Sequence, residues 1–307
     1  MPSDARTVVT ASLAADALAL GAHWIYDTGR IDEVFGRLET LQHPLPSSFH
    51  AGKGRGDLTH YGDQTVLLLH SLVEERGFSL QGFARAWREM FAGYTGYRDH
   101  ASQDTLRRFE DGWPPEDAGS ASTDLGGAAR IAPLVYFYRD DEETLVAAVR
   151  QQTAMTHQNA LVVDSAAFWA RVAVSVWQGQ TPLEAVEAIA SRFFDRPPFA
   201  GWVSRGVASR DNATRQAIAE FGPACSVDQA FPGVVHLVAK YQEDAREGLV
   251  ANVMAGGDSA ARGLLAGMVL GAHVGTAAVS DDWLKGMHCL KAVEKDLNVL
   301  AERRATR

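Results

Sequence analysis

Between residues 256 and 275 the chain reads GGDSAARGLLAGMVLGAHVG, an apolar run with glycine at Gly263, Gly267, Gly271 and Gly275. Glycine inside a helix costs about 1 kcal/mol relative to alanine. Residues four apart lie on one helical face, so a stripe of four needs compensation. Close approach of a second backbone into the groove supplies it. A buried central helix is therefore expected, entered through the polar turn Asp258-Ser259. An acid at that entrance can be a helix cap, a metal ligand or part of a polar site.

Nothing in the 307 residues looks like a flexible linker, so one domain spanning 1–307 is expected. The apolar share of 46% and charged share of 22% are those of an ordinary soluble protein. A net charge of −9 argues against a nucleic-acid partner, whose backbone requires a basic face. It leaves room for a local basic pocket around a small anion. No secretory signal is visible at the N-terminus. No uncharged apolar run reaches the roughly 18 residues that span a membrane. Cytoplasmic residence and no membrane partner are the expectation. Cys225 and Cys289 make neither a disulfide framework nor a four-cysteine zinc site.

Helical signals dominate. Leu13, Ala17 and Leu20 are helically spaced within residues 7–25, and Phe83, Trp87 and Phe91 fall four apart after a capping Ser79. Asp140 and Asp141 precede Leu145 and Val149, and Thr181-Pro182-Leu183-Glu184 is a capping box with proline in the first turn. Ser226 and Gln229 repeat that spacing, which puts Pro232 in a first turn. The best strand candidate is Val135-Tyr136-Phe137-Tyr138. Long loops rich in glycine or proline at residues 43–60, 110–130 and 195–212 are expected to converge on a site. The fold class is thus all-α, a multi-helix bundle with long loops.

Four polar blocks carry chemistry. Asp16 and His23, seven apart, share a face if the first helix runs through both. His60-Tyr61-Gly62-Asp63-Gln64-Thr65 feeds an apolar helix, where Asp63 can be its N-cap. Residues 122–130 form a glycine-rich turn, Ser122-Thr123-Asp124-Leu125-Gly126-Gly127 onward, whose N–H groups can cradle phosphate or ribose. Thr156-His157 begins the amphipathic stretch that ends at Trp177. The stretch from Ala51 to Asp57 lacks the Gly-Lys-Ser/Thr ending of a nucleotide loop, and no nucleophile elbow supports a serine hydrolase built on Ser122 or Ser259.

In order and spacing, these blocks resemble the ADP-ribosylglycohydrolase superfamily across nearly the whole chain. The resemblance implies an orthogonal all-α bundle with two magnesium ions in a central cleft. It also implies hydrolysis of the bond between ADP-ribose and an acceptor. The first block of the family matches Ala15-Asp16-Ala17, and its Thr-Asp-Asp-Thr block matches Gly62-Asp63-Gln64-Thr65. Residues 122–133 match the serine-glycine-arginine-proline block, Thr156-His157 the Thr-His block, and Gly256-Gly257-Asp258 the last.

The departures are specific. Gly62 and Gln64 stand where a threonine and an aspartate are usual, Ala260 and Ala261 where a late aspartate and threonine belong, and His23 near a usual acid. Magnesium wants several anionic oxygens in octahedral array. Asp63 and Asp258 hold one weak ion at most. The pattern resembles a variant branch that includes lens crystallins. Arg262, four residues after Asp258, is expected to stand in for the metal.

The expected activity is hydrolysis of an ADP-ribosyl or related ribosyl N- or O-glycoside, with reduced or no metal dependence. Asp63 and Asp258 are the expected catalytic acids, meeting in one pocket. His60, Gln64, Asp124, Gly126, Gly127, His157 and Arg262 are the expected substrate contacts. The alternative is a catalytically silent ligand-binding or structural protein on the same fold.

Overall fold

The glycine stripe does what its spacing predicts. In the computed structural model, which describes residues 4–305, the chain begins with α1 (Thr7–Ala19) and α2 (Thr28–Phe35). A long loop leads to α3 (His60–Glu74), α4 (Leu80–Gly93) and α5 (His100–Glu110). A one-turn α6 (Gly126–Ala129) and α7 (Ala132–Tyr138) precede α8 (Glu142–Ala154), α9 (Ala160–Trp177) and α10 (Pro182–Phe193). There follow α11 (Phe199–Ala208), α12 (Thr214–Phe221), α13 (Val227–Lys240), α14 (Ala245–Met254) and α15 (Ser259–Val274). A short 3₁₀ turn, Gly275–Ala278, leads into α16 (Asp281–Gly286) and α17 (Leu290–Ala305).

Helices α1 and α15 run antiparallel at backbone contact. A Cβ on Gly271 would stand 2.6 Å from the Thr7 carbonyl oxygen, and one on Gly263 would stand 3.4 Å from that of Ala15. Two hydroxyls lace the pair together: Thr7 Oγ1 donates to the Gly271 carbonyl at 2.7 Å and Ser12 Oγ to that of Leu264 at 2.8 Å. Both helices are buried on nearly every side, so they form the axis about which the others pack. Gly275 does not belong to the stripe. It is the C-cap of α15 at φ +62°, the left-handed conformation that ends a helix.

The capping signals at Ser79, Asp141 and Thr181 each mark a real helix start, the last as a complete capping box. Two local expectations give way. Val135 to Tyr138 is helical, within α7, entered through Pro133. The run is buried all round, so its pattern carries no period and cannot separate strand from helix. Pro232 lies inside α13 rather than in its first turn, because the helix begins at Val227. There is no strand among the described residues, only isolated bridges joining Ser120 to His157 and Asp124 to Ser226.

Helix α9 is long and apolar enough to cross a membrane, yet it is a core helix here, with Phe168 and Trp169 fully buried. Asp164 of that helix pairs with Arg150 at 2.6 Å.

Candidate active site

The start of α3 organises the site. Thr59 is its N-cap, accepting the Tyr61 N–H at 3.2 Å. Thr59 also holds Asp16 of α1 in two places, through its N–H at 2.8 Å and its hydroxyl at 2.6 Å. Burial pushes the Asp16 carboxyl up to about 6, even against those two hydrogen bonds. Gly62 follows from the same contact, since a Cβ there would stand 2.3 Å from Asp16 Oδ2. The first and second sequence blocks are thereby one unit. Asp16 and His23 do not share a helix, because α1 ends at Ala19.

Successive helical residues point about 100° apart, so the first turn of α3 sends its side chains to separate neighbourhoods. Asp63 accepts from Lys53 Nζ and from the Tyr94 hydroxyl, each at 2.5 Å. It lines a cavity of about 600 Å³ with Val66, Leu67, Met90 and Cys289. Tyr61 points the other way. Its hydroxyl lies 3.1 Å from Asp124 Oδ2 and 3.3 Å from Asp258 Oδ2. Asp63 and Asp258 therefore do not form the expected pair: they sit in different environments and share no partner among the described contacts. The partner of Asp258 is Asp124.

Cys225 completes this group, and one ligand atom from each of Asp124, Cys225 and Asp258 lies within 4.8 Å of the others. The backbone secures all three. Asp258 is the N-cap of α15, accepting from the Ala261 N–H at 3.1 Å, and Asp124 accepts from the Gly126 N–H at 2.7 Å. The Leu125 N–H donates to the Cys225 carbonyl at 2.8 Å, joining the two loops. Burial, then the charges of Asp258 and Asp99, push Asp124 up to about 7. Burial also raises Asp258, while the Ala261 N–H and the Arg262 charge oppose the shift. Two close carboxyls of this kind do not both ionise readily. At neutral pH the pair tends to keep one proton. Burial, followed by the charges of Asp124 and Asp258, holds the Tyr61 hydroxyl protonated and the Cys225 thiol well above its ordinary value.

Arg262 is fully buried, as a metal substitute would be, but it makes no ion pair with Asp258 among the described contacts. Its guanidinium donates to the Gly256 carbonyl at 2.5 Å, Asn252 Oδ1 at 3.1 Å and the Pro223 carbonyl at 3.4 Å. Asp258 is a cap outside the helix, so the expected four-residue side-chain pairing does not arise. Instead Arg262 clamps the two loops that carry Cys225 and Asp258, and it reaches Asp258 only through its field.

Gln64 is structural in its contacts, its Oε1 accepting from Trp87 Nε1 at 2.8 Å and from Arg130. Arg130 also donates to Thr156 Oγ1 at 2.6 Å, and Thr156 lies 2.8 Å from His157 Nδ1. Gly127 lies under the His157 ring, and a Cβ on Gly126 would stand 2.1 Å from Tyr61. The Gly126 N–H is already engaged by Asp124, so this turn shapes the pocket for Tyr61 and His157. His157 precedes α9, whose cap is Asn159.

Beside Asp258 lies a histidine cluster. His23 Nδ1 is 3.6 Å from Asp258 Oδ1, and His50 Nε2 is 3.1 Å from His60 Nδ1. The far nitrogen of His60, Nε2, lies 3.1 Å from Asp99 Oδ2. An aromatic rim covers the cluster: Trp24, Tyr97 and Phe49 meet pairwise with ring centroids 5.1 to 5.3 Å apart. Phe49 is 64% exposed. Trp24 holds φ at +64°, an uncommon conformation for an aromatic residue.

Tyr61, Cys225, His50 and Asp99 are the residues the sequence did not single out. Tyr61 stood inside a recognised block as an ordinary aromatic. Cys225 and His50 lie in loops with no local signal.

The family model for ADP-ribosylglycohydrolase matches residues 3–307, so the chain belongs to that family. It is similar to crystallin J1A of Tripedalia cystophora, 26% identical over 296 residues, which cover 91% of this chain and 90% of that one. Crystallin J1B of the same organism is 25% identical over 299 residues, at the same coverage. A solved structure, an ADP-ribosylglycohydrolase-related protein complex, shares the fold with a TM-score of 0.73 at 21% identity, covering 98% of each chain.

The family is typically metal-dependent, and the residues present can be tested against a pair of magnesium ions. Ala260 and Ala261 are buried within α15, and Gln64 is engaged by Trp87 and Arg130. Asp124 and Asp258 each commit an oxygen to a backbone N–H, and a thiol is the third donor beside them. Magnesium prefers six hard oxygens. This donor set does not fit a magnesium pair.

Proposed function

We propose that the chain hydrolyses an N- or O-glycosidic bond of an ADP-ribosyl or related ribosyl conjugate, with Asp124 and Asp258 as the working carboxyls. One observation carries this reading: a buried acid, Asp258, and a half-buried one, Asp124, bridged by the Tyr61 hydroxyl, with Asp124 raised to about 7. Cleavage at an anomeric carbon passes through an oxocarbenium-like state. It calls for one protonated carboxyl to assist the leaving group and one ionised carboxyl to stabilise charge or orient water. Asp124, only half-buried, is suited to donate the proton. Asp258, fixed as a cap and facing the Arg262 field, is suited to remain ionised. Trp24, Phe49 and Tyr97 offer faces on which a nucleobase can stack. No step is routed through magnesium.

A second reading, a catalytically silent structural protein, draws support from the names of the similar crystallins. The two readings separate in one assay. Release of ADP-ribose from a panel of N- and O-linked conjugates is followed without added magnesium, for the wild type and for Asp124→Asn and Asp258→Asn. The hydrolase reading expects release, falling on the order of a hundredfold or more in each variant. No release by the wild type from any conjugate, with or without magnesium, sinks it in favour of the structural reading.

A further inference from the structure

The geometry points to a transition-metal site formed by His23, His50 and His60, separate in ligands from the Asp124–Asp258 pair and selective for a divalent ion such as Zn²⁺ or Co²⁺ over magnesium.

The three imidazoles come from different parts of the chain: the turn after α1, the loop before α3 and the first residue of α3. One ring nitrogen from each lies within 4.8 Å of the others, and none of the three residues is more than 3% exposed. Tetrahedral ligands about 2.0–2.1 Å from a metal lie about 3.3 Å from one another. His50 Nε2 and His60 Nδ1, 3.1 Å apart, already approximate one edge of such a set. His23 needs to close by about 1.5 Å at most to complete the face.

The nitrogens also need something to bind. Nε2 of His23 is fully buried without a hydrogen-bond partner. Leaving such a group unsatisfied is destabilising. An ion held by the cluster would satisfy the inward-facing nitrogens. Burial, then the neighbouring histidines, hold His23 well below its usual range. Burial, with His60 and Lys53, takes His50 down to about 3. Neutral imidazole is the form that binds metal.

The surroundings match as well. Metal-binding histidines commonly turn their second nitrogen toward a carboxylate, which orients the ring. Asp99 Oδ2 lies 3.1 Å from His60 Nε2, and Asp258 Oδ1 lies 3.6 Å from His23 Nδ1. Those contacts leave Nδ1 of His60 and Nε2 of His23 for the ion. Three imidazoles favour zinc, cobalt, nickel or copper, whereas magnesium takes oxygen. A set of three leaves a coordination position open, the pattern of a site that takes a further ligand. The inference does not depend on glycosidic cleavage, because metal binding is measured without any substrate.

The full-length chain, stripped with a chelator and desalted, is titrated with Zn²⁺ by calorimetry and with Co²⁺ by visible absorption. One ion per chain is expected, with cobalt d–d bands characteristic of a four- or five-coordinate nitrogen-rich site. His50→Ala and His23→Ala should each weaken zinc binding at least a hundredfold. Asp99→Asn, which leaves all three ligands in place, should weaken it about 10–100-fold. His100→Ala, which removes an exposed histidine, should leave it unchanged. Folding of each variant is checked by circular dichroism. Absence of a one-to-one complex at micromolar zinc overturns the proposal, as does binding that survives intact in folded His50→Ala and His23→Ala proteins.

Discussion

A Cβ on Gly267 would stand 2.6 Å from the carbonyl oxygen of Ala11, so the third carbon of an alanine cannot be placed there without moving a backbone. That contact sits midway along the α1–α15 axis that positions both Asp16 and Asp258. Gly267→Ala is therefore expected to destabilise the fold by about 1–3 kcal/mol, despite the better helix propensity of alanine. Gly201 in α11 is the matched control, exposed and with nothing near its would-be Cβ. There the same change should stabilise by about 0.5–1 kcal/mol. Urea unfolding of the two variants gives opposite signs if the axis is packed as described.

Arg262 donates to three acceptors, and of these only the Pro223 carbonyl has a second donor, the Asp258 N–H at 2.9 Å. Arg262→Met keeps much of the stem but leaves the Gly256 carbonyl and Asn252 Oδ1 short of a donor. A loss of about 3 kcal/mol is expected by urea titration. Amide exchange should quicken in the loops around Pro223 and Gly256. An unchanged midpoint and unchanged exchange would show that the clamp contributes nothing.

Asp63 faces Lys53 and Tyr94 rather than Asp258. Under the proposed function, Asp63→Asn is expected to change ADP-ribose affinity, measured by calorimetry, by less than threefold, whereas Tyr61→Phe, which removes the hydroxyl between the two proposed acids, should weaken it about tenfold. A tenfold or greater loss in Asp63→Asn would return Asp63 to the site.

Asp124 keeps its proton up to about pH 7 in the folded chain, whereas an unfolded aspartate loses it near about 3.9. Between those values the folded state binds more protons, so this group's contribution to stability falls as pH rises from about 4 through about 7. Asp124→Asn removes that dependence. Relative to the wild type, the variant should gain on the order of 1–3 kcal/mol between about pH 5 and about pH 8. Parallel thermal melts across the range check it, and a constant gap between the two proteins contradicts the raised carboxyl.

Local rules carried much of the fold. Ser79, Asp141 and Thr181 announce helix starts because capping is settled within four residues. Four-residue glycine spacing implies a close neighbour whatever that neighbour is. The buried run Val135 to Tyr138 is helical, yet complete burial erases the periodicity that would distinguish it from a strand. The site was legible as a set of polar blocks, but its pairing was not. The block around Asp63 points to that acid, whereas the structure turns it to Lys53 and Tyr94 and brings Asp124 to Tyr61.

The sequence alone determined an all-α chain with a glycine-grooved central helix, an acid at the entrance to that helix and polar blocks in a family order. Only the tertiary structure decided that Tyr61 rather than Asp63 faces Asp258, that Asp124 and Cys225 come to meet it, and that Arg262 grips backbone instead of a carboxylate. The reason is geometric. Spacing along one helix sets which residues share its face, but which loop lies opposite that face depends on the packing of distant segments. Cys225 and His50 reach their neighbours through such packing, and nothing within a few residues of either encodes it.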